Sequence, residues 1–159
     1  MAEVIDKTFP WGYFDGSASR DPKICGARGV LFISEDHFFT FKAGLGFGTN
    51  NFAELIGLKL LLTLSLQHND KQLQIFGDSQ LVINWAFGKY RIQNIMLEQI
   101  LLEVHRLLDF FKNVHFMHIY CERNTHADKL AKDGSNVLTR SWQISEHRAA
   151  DCSNIVMFF

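Results

Sequence analysis

Four acidic residues stand where the chain changes direction: Asp15 in YFDGSAS, Glu54 in TNNFAEL, Asp78 in FGDSQLVINW and Asp128 in NTHADKLAK. Carboxylates at such places have ordinary uses. Asp15–Gly16 is a turn-forming pair. Asn51 can cap a helix, and Glu54 three residues later completes a variant of the capping box. Asp78 can cap the helix that follows it, and Asp128 suits the positive end of a helix dipole. Together the four read differently. Asp15 and Asp78 close strands expected to lie adjacent and parallel, so both fall at the carboxyl rim of the sheet, where functional groups gather in open α/β folds. The helix starts carrying Glu54 and Asp128 can lean over the same rim. Converging carboxylates repel and raise one another's pKa values unless a cation neutralises them. No Lys or Arg adjoins three of the four. Hard oxygen donors without a Cys or His pairing point to Mg2+ or Mn2+ rather than Zn2+.

The elements that must position these acids follow from periodicity and turn chemistry. Residues 8–16, 24–34 and 37–45 predict three strands joined by short turns, hence an antiparallel meander. A helix over 51–67 is apolar on nearly every side, with Ile56, Leu58, Leu60, Leu61, Leu62, Leu64 and Leu66. A short strand over 72–77 leads into a short helix, Ser79 to Ala86, in which Trp85 reads as core. Over 94–112, polar Glu98, Gln99, Glu103, Arg106 and Asp109 alternate at helical spacing with Leu101, Val104, Leu107, Leu108 and Phe111. A strand over 114–121 and a last helix from Thr125 to Leu138 complete the pattern. The later β-α-β crossovers require parallel pairing. From about Arg140 no period is evident, and the closing IVMFF is left open between a strand and a docking segment.

Composition narrows the classes further. A chain of 159 residues, 47% hydrophobic and 13% aromatic, has the size and apolar content of one domain with a real core, which excludes disorder. A net charge of −1 excludes a general electrostatic grip on nucleic acid, so a polyanion would have to be held by local charge, metal ions or backbone donors. No apolar run is long enough to span a bilayer, and MAEVIDKTFPWGYF lacks a signal-peptide pattern. The chain therefore reads as soluble and intracellular, free of membrane, with cytoplasm and nucleus both open. Cys25, Cys121 and Cys152 form no CxxC pair, which argues against a zinc site or a disulfide framework.

FDGSAS, TNNFAEL, GDSQLVINW and NTHADKLAK, in this order and on these elements, resemble the four signature blocks of type 1 ribonuclease H. They are spread over residues 11–138, and the segments FGKYRIQNIML and HIYCERN are similar to retroelement-related and plant-type members. The resemblance implies an α/β, ribonuclease H-like fold. Its five-stranded mixed sheet would have the first three strands antiparallel, the later strands parallel, and helices on both faces. It implies a catalytic domain over 1–138, leaving 139–159 as a C-terminal extension. It further implies endonucleolytic cleavage of the RNA strand of an RNA–DNA hybrid, leaving 3′-hydroxyl and 5′-phosphate ends, by a chain acting as a monomer. Asp15, Glu54, Asp78 and Asp128 would be both the catalytic residues and the ligands of two Mg2+ ions about 3.5–4 Å apart, with Mn2+ as a substitute. Gly16, Ser17, Asn50, Asn51 and Gln80 would contact substrate, reading the 2′-hydroxyl from the minor groove.

Two departures from the family pattern stand out. The loop that carries a mobile catalytic histidine in many members is short here, CERNT. His126 is left as a possible auxiliary group, while His118 is expected within the preceding strand. The basic protrusion of some members is reduced to Lys89 and Arg91 around Tyr90, which read as a solvated connection. Arg20, Lys23 and Arg28 could add positive potential near Asp15. Two other readings remain: a catalytically weak or inactive ribonuclease H-like nucleic-acid-binding domain derived from a retroelement, and a relative of the same fold acting on DNA.

Overall fold

The computed structural model describes residues 5–19, 24–88, 92–119 and 141–148, together with the backbone of 152–158. Three long strands open the chain: β1 (Trp11–Ala18), β2 (Ile24–Ser34) and β3 (His37–Phe47). They form the expected antiparallel meander. Trp11 lies opposite Phe32 and Ala18 opposite Cys25, and Glu35–Asp36 turn β2 into β3. Helix α1 (Asn50–Gln67) then crosses to β4 (Gln72–Gly77), which pairs parallel with β1. Helices α2 (Gln80–Ala86) and α3 (Ile95–Leu108) lead to β5 (Asn113–His118), parallel to β4.

The strand count needs correction. Five strands were expected, and the sheet has seven, in the order β5-β4-β1-β2-β3-β6-β7. The additional pair is β6 (Ser141–His147) and β7 (Cys152–Phe158), a hairpin whose first strand is antiparallel to β3. These later strands are thus antiparallel, not parallel. A strand reveals itself in sequence by alternation against a core, and an edge hairpin buries too little of one face to show it. Three histidines or acids (His37, Glu146, His147) and Arg148 instead mark this edge with polar contacts.

Helix α1 is buried nearly all round because it lies between the sheet and α3. Leu55, Leu58, Leu60, Leu61, Leu62 and Leu64 are each at most 4% exposed, and each such burial stabilises the fold by about 2 kcal/mol. Its start differs from the expected one. Thr49, not Asn51, is the cap, its hydroxyl accepting from the Phe52 N–H at 3.2 Å. At the other end Asn69 adopts φ 58°, and the Asp70 N–H closes onto the Ser65 carbonyl. Helices α1, α2 and α3 share one large core with one face of the sheet. The opposite face holds a smaller cluster of Trp11, Tyr13, Phe76 and Ile119, with Trp11 stacked on Phe32 at 5.0 Å and Tyr13 on Phe76 at 5.1 Å. The expected last helix, Thr125 to Leu138, lies outside the described residues.

Candidate active site

The parallel pairing of β1 with β4 ends at Tyr13–Phe76, while β1 runs on beside β2 to Ala18. Asp15 therefore projects from a stretch of β1 that has outrun its parallel neighbour. Asp78 follows β4 directly, ahead of Ser79, which caps α2 by accepting from the Val82 N–H. Glu54 reaches the same place from α1, which can approach because Gly16 has no side chain. A β-carbon there would collide with the backbone of Ala53 and Glu54. A β-carbon on Gly57 would likewise come within 2.9 Å of the Asp15 carbonyl oxygen. One carboxylate oxygen from each of Asp15, Glu54 and Asp78 lies within 4.8 Å of the other two.

With Thr49 as the cap, Glu54 falls one residue beyond the first turn, which contains no acid. The capping-box account of Glu54 is therefore overturned: the third residue of the helix is Phe52, which offers no carboxylate. Helix capping does not explain Glu54. Its surroundings tax the charge instead. Burial pushes its pKa far up, and the charge of Asp15, a hydrogen bond to Asp15 and the charge of Asp78 push it further; the Gly16 N–H opposes them in part. Glu54 Oε2 is buried with no hydrogen-bond partner among the described residues. An orphaned oxygen beside two further carboxylates is a donor set suited to a hard divalent cation, which would remove both the repulsion and the unmet valence.

The other residues named from sequence fall in several places. Asn50 is tied to the first strand, its side-chain oxygen accepting from the Ala18 N–H at 2.7 Å. Asn51 is exposed at the same helix start. Gln80 donates to Asn84 at 3.1 Å along α2. Gly16 serves as the contact surface for α1, with Ser17 next along the strand. Trp85 is core, 6% exposed. His118 ends β5, as expected, and its Nε2 sits 3.1 Å from the Asp78 carbonyl oxygen. Asp128 and His126 lie outside the described residues, as do Arg20, Lys23, Lys89, Tyr90 and Arg91. Sequence reasoning did not single out His118 as a tether for Asp78, nor foresee that Arg28 is wholly buried. The only signal for either is register, which requires the strand pairing to be known.

Comparison with known proteins was made on this geometry. A family model described as reverse transcriptase-like matches residues 13–134. A bifunctional protein of Mycobacterium tuberculosis is 26% identical over 130 residues, covering 80% of this chain and 35% of its own length. The chain thus spans about a third of the curated relatives it matches. The crystal structure of RNase H1 from the halophilic archaeon Halobacterium salinarum superimposes with a TM-score of 0.72 at 26% identity, covering 80% of this chain and 97% of that one. LC11-RNase H1, isolated from compost and solved in complex with an RNA/DNA hybrid, gives a TM-score of 0.71 at 24% identity, with 80% and 96% coverage, a likeness of fold.

Proposed function

Since this chain belongs to the reverse transcriptase-like family and its domain is of the type 1 ribonuclease H kind, we propose that it hydrolyses the RNA strand of RNA–DNA hybrids. The observation that carries this reading is the convergence of Asp15, Glu54 and Asp78 within 4.8 Å, from three separate elements. Asp128 is proposed as the fourth member, and residues 1–138 as the catalytic unit. These carboxylates would hold Mg2+, with Mn2+ able to replace it. Two such cations, when bound, supply a nucleophilic water at neutral pH and charge stabilisation at the leaving 3′ oxygen, so that 3′-hydroxyl and 5′-phosphate ends result.

The protein's own part is positioning. Asp15, between the other two acids, is placed to face both cations. The Gly16 N–H holds the Glu54 carboxylate, and His118 steadies the backbone at Asp78. Such fixed groups need no reorganisation when charge develops on the phosphate. Recognition of RNA falls to the rim. Asn50 has its oxygen engaged with Ala18 and so presents its amide NH2 as a donor, with Asn51 beside it. Gln80 donates to Asn84 and presents its carbonyl. Small donors and acceptors at this spacing suit the 2′-hydroxyls of a minor groove. A net charge of −1 fits a monomer that grips a short stretch of hybrid at its site rather than a duplex at large.

The test is cleavage of an end-labelled hybrid, with double-stranded RNA and double-stranded DNA as controls, in Mg2+ and in EDTA. The expected result is metal-dependent cutting of the RNA strand of the hybrid alone, with 3′-hydroxyl ends. A hybrid left whole in both Mg2+ and Mn2+, yet still bound, would identify a binding domain that has lost catalysis.

A further inference from the structure

Arg28 is fully buried and has the largest side chain of any such residue; among the described residues it is the one buried basic side chain. Strand pairing sets it directly opposite Asp15 on one side and directly opposite Lys42 on the other. Residues so paired project to the same face of the sheet, with β-carbons about 5 Å apart. That face is identified by its neighbours. Ala27 and Leu31 point into the core shared with α1, whereas Phe32 packs with Trp11 and Tyr13 on the other side. Arg28 is in step with Phe32, as Asp15 is with Tyr13. The column Trp11–Phe32, Tyr13–Val30, Asp15–Arg28 thus runs from an aromatic cluster to the acidic rim.

We propose that Arg28 is a positioning residue for Asp15, its guanidinium fixing the Asp15 carboxylate from the sheet side while the acid's remaining lone pairs face Glu54 and Asp78. A guanidinium withdrawn from water costs several kcal/mol unless a carboxylate and further acceptors meet it. Asp15, itself 3% exposed, is the acid that the register brings alongside. The flat fork of arginine suits a carboxylate and restrains its rotation in a way a lysine ammonium does not. Like charges directly opposite repel, so Lys42 on β3 turns the guanidinium toward β1. Lys42 is only half-buried and can carry its own ammonium to solvent. One fixed positive charge against three acids orders the site without satisfying it, which leaves a demand for a further cation.

The inference rests on the reading of the acidic trio as a cation site, and its first test needs neither metal nor substrate. Thermal unfolding in EDTA is compared for the wild type, Arg28→Met, Asp15→Asn and the double variant. If the two side chains act as a pair, Arg28→Met lowers Tm by several degrees when Asp15 is present. In the Asp15→Asn background it does so by less than half as much, or raises Tm. An equal loss in both backgrounds overturns the proposal, as does a double variant that remains unfolded where Asp15→Asn alone folds. The second test follows Tm against Mn2+ concentration. Arg28→Met shifts the midpoint upward about 10-fold, the scale for loss of a group that orients a ligand, and Arg28→Lys recovers part of that shift. An unmoved midpoint in a folded Arg28→Met protein also overturns it. A chain that cuts hybrids but shows no coupling loses this inference alone; one that shows coupling yet never cuts hybrids loses the enzymatic reading instead.

Discussion

Two glutamates on the same sheet live in opposite circumstances. Glu146, on the edge hairpin, is met by cations: His37 Nε2 lies 2.8 Å from its Oε2, and Arg148 Nη2 lies 3.1 Å from the same oxygen. The hydrogen bond from His37, then the charge and hydrogen bond of Arg148, hold its pKa below the usual carboxylate range. Glu54 is met by burial and by other acids, and its pKa is driven the other way. A group surrounded by partners has been placed for the fold's benefit. A group surrounded by its own kind is costly to the folded state and is kept in place only by the packing around it. The polypeptide pays that cost at one end of β1 and nowhere else among its described acid clusters.

Substitutions at the two ends should separate these cases, beginning with the largest effect. Asp15→Asn should lower hybrid cleavage in Mg2+ by about 10^3-fold or more, in line with loss of a central charge-positioning group, while the circular dichroism spectrum is retained. Near-normal turnover would remove Asp15 from the centre of the site. Glu54→Gln should abolish the rise in Tm that saturating Mg2+ gives the wild type by mass action. In EDTA the same variant should be more stable by roughly 1–2 kcal/mol, because a buried like charge is removed. A metal response that survives would place the cation elsewhere.

Asp70, between the two extremes, offers a pH test. Burial raises its pKa from 3.8 to about 6, with His37 opposing, and its Oδ2 has no partner among the described residues. A carboxyl group whose pKa is higher in the folded than in the unfolded chain contributes stability below the unfolded value, and that stability is lost as pH rises through the folded one. Asp70→Asn should therefore raise Tm at pH 7 by about 1–2 °C, reduced by solvent screening, and the gain should vanish between pH 6 and pH 4. A gain independent of pH would assign it to something other than this carboxyl. The smallest effect belongs to Glu146→Gln. Its partners are solvent-facing, so hybrid cleavage should be unchanged and Tm should fall only slightly, and less in high salt. A large loss of activity would mean that the edge hairpin supports the site.

Much of the framework was legible from local pattern. The boundaries of β2 were readable to the residue, because a long half-buried strand between a turn and a charged loop declares itself. Helix α1 was readable from its leucines and α3 from its alternation of Glu98 and Glu103 with Leu101 and Val104. Other features were not. Thr49 outcompeted Asn51 as the cap because Asn50 was drawn to the Ala18 N–H, a contact between residues 32 apart in sequence. The hairpin of β6 and β7 left no periodic trace, and only its pairing with β3 gives it a place.

The sequence by itself determined which residues carry charge, the order of the elements and the family to which the chain belongs, since side-chain chemistry, turn preference and apolar spacing act over a few residues. Tertiary structure alone decided that Glu54 stands past its helix's first turn, that Gly16 lets α1 settle on β1, and that Arg28 is sealed beside Asp15. These depend on register and close approach between distant segments, where one residue of slip would turn every side chain to the opposite face.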